Sequence, residues 1–240
     1  KPEVLGGVYR IRRTDGKPVK DPRGLKLPWA KMNAGQTAGL LDDPRPYVRH
    51  RAMAQLPKMG KDAFAPLGDL IKNSKSVTAR RNAVWALTRG DWGVQKFNLI
   101  QHALDDKDFT VQQAAAHAVG IHRYLPAVPE LVGLLKSDSL HVRREAATAL
   151  GCIGRTGVES ILFSAAEDST CRVLDHSIIY ALIEIGDAKA TATGLTYRNA
   201  RAQRAALIAL DQMPGATVTA MQLLPRLASD DEVLRKTALW

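Results

Sequence analysis

The side chains in this 240-residue chain best suited to binding a metal or moving a proton are six histidines and two cysteines. Their spacing gives them no common task. His102, His117 and His141 fall on different predicted helices, His122 ends the helix of His117, and no Cys-x-x-Cys or His-x-x-x-His spacing puts two ligands on one helix face. Cys152 lies late in one predicted helix and Cys171 at the turn before the next, which predicts two free, half-buried thiols rather than a disulfide. There is no glycine-rich phosphate loop, nucleophile motif or matched pair of acids. Glu145, Glu159, Glu167 and Glu184 read as ordinary helix-surface residues. The residues therefore assign no catalytic, cofactor-binding or metal site, and the chemistry left to the chain is recognition by a surface.

That surface depends on a recurring pattern, clearest from Val142 to Leu150: a branched apolar residue, alanine at offsets four and seven, and leucine at offset eight. On a helix these offsets share one face, and the two alanines allow another helix to approach closely. The pattern restarts at Val48, Ala79, Val111, Val142, Leu174, Ala202 and Leu234, in steps of 31, 32, 31, 32, 28 and 32 residues. The offset-four column reads Ala52, Ala83, Ala115, Ala146, Ile178, Ala206, Ala238, and the offset-eight column Leu56, Leu87, Val119, Leu150, Leu182, Leu210. Copies at one such period predict a helical solenoid: an all-α, right-handed α-α superhelix of about seven helical hairpins. First helices are expected near 34–41, 62–73, 93–105, 126–136, 157–166, 188–196 and 217–228. Second helices, which carry the pattern, are expected near 46–59, 77–89, 109–122, 140–153, 172–185, 200–212 and 232–240. Three residues before each start stand Arg45, Ser76, Asp108, Ser139, Cys171, Asn199 and Asp231, of which five are good N-caps. The sixth unit is short, and Thr191, Thr193 and Gly194 predict a weak first helix there.

With the buried face fixed, offsets two and six point roughly away from it, at about 100° per residue. Offset two reads His50, Arg81, Gln113, Arg144, His176, Arg204, Lys236; offset six includes Trp85, His117, Tyr180 and Trp240. A basic column beside a partly aromatic one gives a candidate binding surface of His50, Arg81, Trp85, Arg144, His176, Tyr180 and Arg204. Without a partner the same columns would be a solvated face whose aromatics pack on neighbouring long side chains.

Net charge is +10, but residues 1–33 hold nine Lys/Arg against three Asp/Glu, leaving the rest of the chain at only +4. That weakens a nucleic-acid reading, which stays as the alternative to a protein partner. The N-terminal stretch differs in kind: residues 6–13 alternate as a strand would, and Pro18, Pro22, Gly24 and Pro28 keep residues 18–28 extended. Residues 1–33 are thus expected to form an arm anchored by Trp29, and residues 34–240 a repeat array cut within its last repeat, the whole being a piece of a longer protein. No apolar run approaches the roughly 18 residues needed to cross a bilayer. Composition fixes neither compartment nor oligomeric state.

Asp42-Asp43-Pro44-Arg45-Pro46-Tyr47-Val48-Arg49 resembles the Asp-Pro-x-x-x-Val-Arg turn of HEAT repeats, with looser copies from Asp138 to Arg143 and from Asp230 to Arg235. The resemblance implies that second helices line the concave face. It also implies a structural arginine at offset one, a ladder that Arg49, Arg80, Arg143 and Arg235 keep and that Gln112, Asp175 and Gln203 are expected to break. Within that family the fold implies a non-catalytic scaffold for other domains of its own chain or for a protein partner. HEAT-like glycosylases make nucleic acid the alternative, and an analogy with HEAT-like bilin lyases rests on the fold alone. Gly7-Val8-Tyr9-Arg10-Ile11-Arg12-Arg13, with Asp21-Pro22-Arg23-Gly24 and Trp29-Ala30-Lys31, resembles the junction in planctomycete-type membrane-bound dehydrogenases, which run from a β-propeller through HEAT repeats to cytochrome c. That likeness would make residues 4–13 the end of a propeller and the setting extracytoplasmic (periplasmic). No Cys-x-x-Cys-His is present, so neither redox activity carries over.

Overall fold

The computed structural model describes residue 16, residues 19–169 and residues 171–240. The expected strand at residues 6–13 lies outside the described residues. Among those described there is no strand, and fourteen α-helices follow one another with short 3-10 turns. The first helices are α1 (Ala34–Gly39), α3 (Phe64–Asn73), α5 (Gln95–Leu104), α7 (Val128–Leu134), α9 (Glu159–Glu167), α11 (Ala188–Ala192) and α13 (Ala220–Leu227). The second helices are α2 (Pro46–Gln55), α4 (Val77–Arg89), α6 (Phe109–Ile121), α8 (Leu140–Ile153), α10 (Arg172–Ile185), α12 (Ala200–Gln212) and α14 (Glu232–Leu239). The result is the all-α solenoid that the periodicity predicts. The clearest shortening is α2, which stops at Gln55 where Pro57 cannot continue it; a 3-10 stretch comes next, with a kink at Gly60 (φ 58°).

All seven pattern starts are buried, from Val48 to Leu234, and so is the offset-four column except Ala238. Second helices α6, α8 and α10 meet through small residues at offsets seven and nine. A Cβ added to Gly120 on α6 would stand 2.8 Å from Ala149 Cα on α8, and one on Gly151 of α8 would stand 2.7 Å from Ala181 Cα on α10. The backbones are as close as they can come, and the glycines are what permits it. The exits of α8 and α10 are arranged to suit. Gly154 (φ 72°) and Gly186 (φ 73°) end α8 and α10 in the left-handed conformation that a side chain disfavours. Gly90 is small for a different reason: its φ is −104°, but a Cβ there would meet Trp92 Nε1 at 2.2 Å.

The turns between first and second helices carry a second regularity, which the sequence columns missed. Five residues before each start stand Asp43, Ser74, Asp106, Ser137, Ser169, Tyr197 and Ser229. In every unit but the sixth, this side chain accepts the backbone N–H two residues on, as at Asp43–Arg45, Asp106–Asp108 and Ser169–Cys171. The side chain at offset one then reaches back to the carbonyl of the same residue: Arg49 to Asp43, Arg80 to Ser74, Gln112 to Asp106, Gln203 to Tyr197 and Arg235 to Ser229. The expectation that Gln112 and Gln203 break the ladder is therefore corrected. A carboxamide N–H serves a carbonyl as a guanidinium does, at 2.7 and 2.8 Å. Asp175 cannot donate, and Arg201 of the following unit takes the Ser169 carbonyl in its place. Of the five predicted N-caps, Ser76, Asp108, Asn199 and Asp231 accept a helix N–H through their side chains, whereas Ser139 does not.

Trp29 does anchor the segment before the array. Its indole N–H donates to the Gly24 carbonyl at 2.7 Å, and the Arg51 guanidinium lies 4.5 Å over its ring. The sixth unit is irregular as its composition predicts: α11 is five residues long and passes into a 3-10 turn over Thr193–Thr196. The space left by the small residues is filled by Phe163 of the preceding unit. Phe163 packs where a Cβ on Gly194 would stand, 2.4 Å from its ring. With so few i→i+4 bonds, amides of residues 187–199 are expected to exchange with solvent faster than those of α5 and α7 in native-state hydrogen exchange; equal protection in all three segments would contradict this account of the unit.

Candidate binding surface

Offsets two and six of α4, α6 and α8 do not stand as isolated side chains. Arg81 on α4 donates to Thr110 Oγ1 on α6 at 3.2 Å. One turn further along α4, the Trp85 ring lies 5.3 Å from the His117 imidazole of α6, tilted by 58°. His117 Nδ1 in turn is 2.8 Å from Glu145 Oε1 on α8, and Arg144 lies 3.7 Å from the other carboxylate oxygen. Arg81, Trp85 and Arg144 are thus brought onto one surface, with Trp85 and Arg144 joined through His117 and Glu145. His50 and His176 stand exposed outside it. Arg204 on α12 is half-buried, and its Nε finds no partner. Tyr180 on α10 is 39% exposed; burial of its ring first, and then the charge and hydrogen bond of Glu184, hold its phenol above its ordinary pKa.

Glu145 is the residue the sequence reading missed. Taken as a surface glutamate, it is in fact only 12% exposed at its side chain and is the hinge of the run. The signal was available: at about 100° per residue, offset three lies beside offset six, so an acid there faces the column read as aromatic and basic. The surface is consequently of mixed sign, a carboxylate between Arg144 and an imidazole, rather than a uniform cationic groove.

One turn-side cluster holds a buried titratable group. Lys96 at the start of α5 is buried, with its ammonium 3.3 Å from the Gly90 carbonyl and 3.2 Å from His122 Nε2, beside the stacked rings of Phe97 and Tyr124. Burial lowers its pKa, against the opposing pull of Asp91. Among the described residues no group of three or more His, Cys, Asp and Glu side chains is placed to hold a metal ion. No helix among them is long and apolar enough to cross a membrane.

Two overlapping stretches, residues 65–151 and 98–183, match the family model described as HEAT repeats. Among curated proteins, deoxyhypusine hydroxylase of Danio rerio is 31% identical over 115 residues, which is 47% of this chain and 37% of that protein; the chain thus matches little more than a third of that relative's length. Among solved structures, the YibA protein of E. coli is 18% identical with a TM-score of 0.53, over 96% of this chain and 98% of that one. A chain of the CpcE–CpcF complex of phycocyanin lyase from Nostoc sp. PCC7120 is 15% identical with a TM-score of 0.52, over 97% and 98%. At these identities the two structures establish a shared solenoid fold.

Lys96 carries the pH prediction. A lysine whose folded pKa is lowered binds fewer protons folded than unfolded, so stability rises as pH climbs from the folded value towards the ordinary one, about 10.4. Chemical denaturation across that window is expected to show this rise in the native chain and to lose it in Lys96→Met. Identical pH slopes for the two proteins would contradict the burial of the charge.

Proposed function

We propose that this solenoid is a non-catalytic scaffold whose second helices hold a protein partner or another domain of the same chain. The observation that carries the reading is the connected run Trp85, His117, Glu145, Arg144 across the consecutive second helices α4, α6 and α8, with Arg81 one turn before Trp85. Preordered side chains of both signs, with an aromatic ring among them, suit a polar protein surface: they lose little freedom on binding, and they reward a partner of matching charge order. A concave placement of the run is supported by the packing. Second helices α4 to α12 touch one another closely, while consecutive first helices touch far less, and the layer with the shorter spacing lies inside a curved stack. Nucleic acid suits the surface less well, because Glu145 sits in the middle of it and the net charge after residue 33 is only +4.

Residues 34–240 are taken as one array and residues 1–33 as its connecting arm. The finer placement, between a propeller and a cytochrome c domain in an extracytoplasmic protein, rests on the motifs at residues 7–31 alone. The test is a partner pull-down comparing the native chain with Arg81→Glu/Arg144→Glu/Arg204→Glu. Loss of bound partner by the folded triple variant is expected. Retention of every partner at unchanged affinity would reduce the surface to a solvated face.

A further inference from the structure

The arginines at offset one allow a comparison between units. Arg80 is fully engaged: Nε and Nη2 clasp the Asp106 carboxylate at 2.6 and 2.9 Å, and Nη1 donates to the Ser74 carbonyl at 2.9 Å. Arg143 stands at the same place in its own unit. The position that holds Asp106 opposite Arg80 holds Ser169 opposite Arg143, five residues before the start at Leu174. No carboxylate among the described residues lies within ion-pair distance of Arg143. Its Nη2 reaches across to the Ala165 carbonyl of the next first helix at 3.3 Å, and its Nε is buried with no partner. Burying part of a guanidinium without an anion is costly unless something supplies the anion.

Space for one is present. A cleft of about 300 Å³ opens between the C-terminal end of α7 and α9, with Arg143 in its lining. Lys136 and Ser164 add an ammonium and a hydroxyl, Leu135 and Ile161 provide apolar wall, and Asp168 adds one negative charge. We propose that this cleft binds a carboxylate carried on a short apolar stem, with Arg143 as its principal ligand. A planar carboxylate matches the guanidinium fork as Asp106 does at Arg80. Two cations against one carboxylate leave a single positive charge, which a monoanion balances and a phosphate dianion exceeds. The walls accept a stem of a few carbons, whether it belongs to a free acid or to a side chain of a bound protein. The site is separate from the second-helix surface, and its failure would leave that reading untouched.

The experiment follows the arginine Nε–Hε resonances of the whole chain by NMR, with the Arg143 signal assigned by its absence in Arg143→Lys. The chain is titrated with 3-methylbutanoate, with its neutral amide and with inorganic phosphate. The carboxylate is expected to shift the Arg143 resonance saturably and leave Arg80 unmoved, the amide to do nothing, and phosphate to act at least tenfold more weakly. Ser169→Asp, which places a carboxylate opposite Arg143 as Asp106 stands opposite Arg80, is expected to abolish the response. Should that variant not fold, Arg143→Gln, followed through the methyl signals of Leu135 and Ile161, is expected to abolish it instead. No saturable shift, an equal shift at Arg80 (an adventitious ion only), or tighter binding of phosphate would each overturn the proposal. For the side-chain source, a peptide with both ends blocked and one internal glutamate is expected to reproduce the shift, and its glutamine counterpart is not.

Discussion

Gly120 against Ala149 and Gly151 against Ala181 bring the backbones of α6, α8 and α10 together with no side chain between them. Much else in the molecule follows from this contact. The starts and offsets four and eight of the second helices are buried against large side chains of the first helices, Leu67, Ile100, Leu131 and Phe163 among them. At these two seams the spacing is set by atoms without rotamers, which leaves α6, α8 and α10 little room to adjust. Larger side chains stand at first helices and turns: Phe163 of α9 fills the gap at Gly194, and Trp92 lies against Gly90.

The same spacing makes the candidate surface a surface. Side chains on adjacent second helices can touch across the seam only because the axes are near one another, so Trp85 reaches His117, and His117 reaches Glu145, in single contacts. The turns fix the other coordinate. A carbonyl five residues before each start is held by the side chain at offset one, or by Arg201 where Asp175 cannot serve, and this ties the entry of each second helix to the turn before it. Rotation of a helix about its axis is thereby limited, and with it the direction in which offsets two, three and six point. Arg143 departs from this rule by turning to Ala165, and that departure is what opens a cation to the cleft between α7 and α9.

The alanine columns were enough to place the helices, because a period near 32 residues repeated over seven units leaves one way to bury them. The bounds of α4, α8, α10 and α12 follow from caps and glycines that act locally. What could not be read was anything that depends on which neighbour a polar side chain chooses. Gln112 and Gln203 look like breaks in an arginine ladder until the geometry shows that any N–H donor of the right length will do. Glu145 looks like an ordinary exposed acid because its partner, His117, is 28 residues away on another helix. The difference between Arg80 and Arg143 lies in Asp106 and Ser169, residues of the following units that no local pattern connects to them.

The seam is tested most directly by one methyl group. In a solvent-exposed helix, alanine in place of glycine stabilises by about 0.5–1 kcal/mol, because glycine has more backbone freedom to lose. At residue 151 the added Cβ would stand 2.7 Å from the Ala181 backbone, so α8 and α10 must part to admit it. Denaturant unfolding of Gly151→Ala is therefore predicted to show a loss of about 1–3 kcal/mol despite the better helix former, as overpacked cores do. A variant as stable as the native chain, or more so, would contradict the claim that backbone contact sets the spacing of α8 and α10.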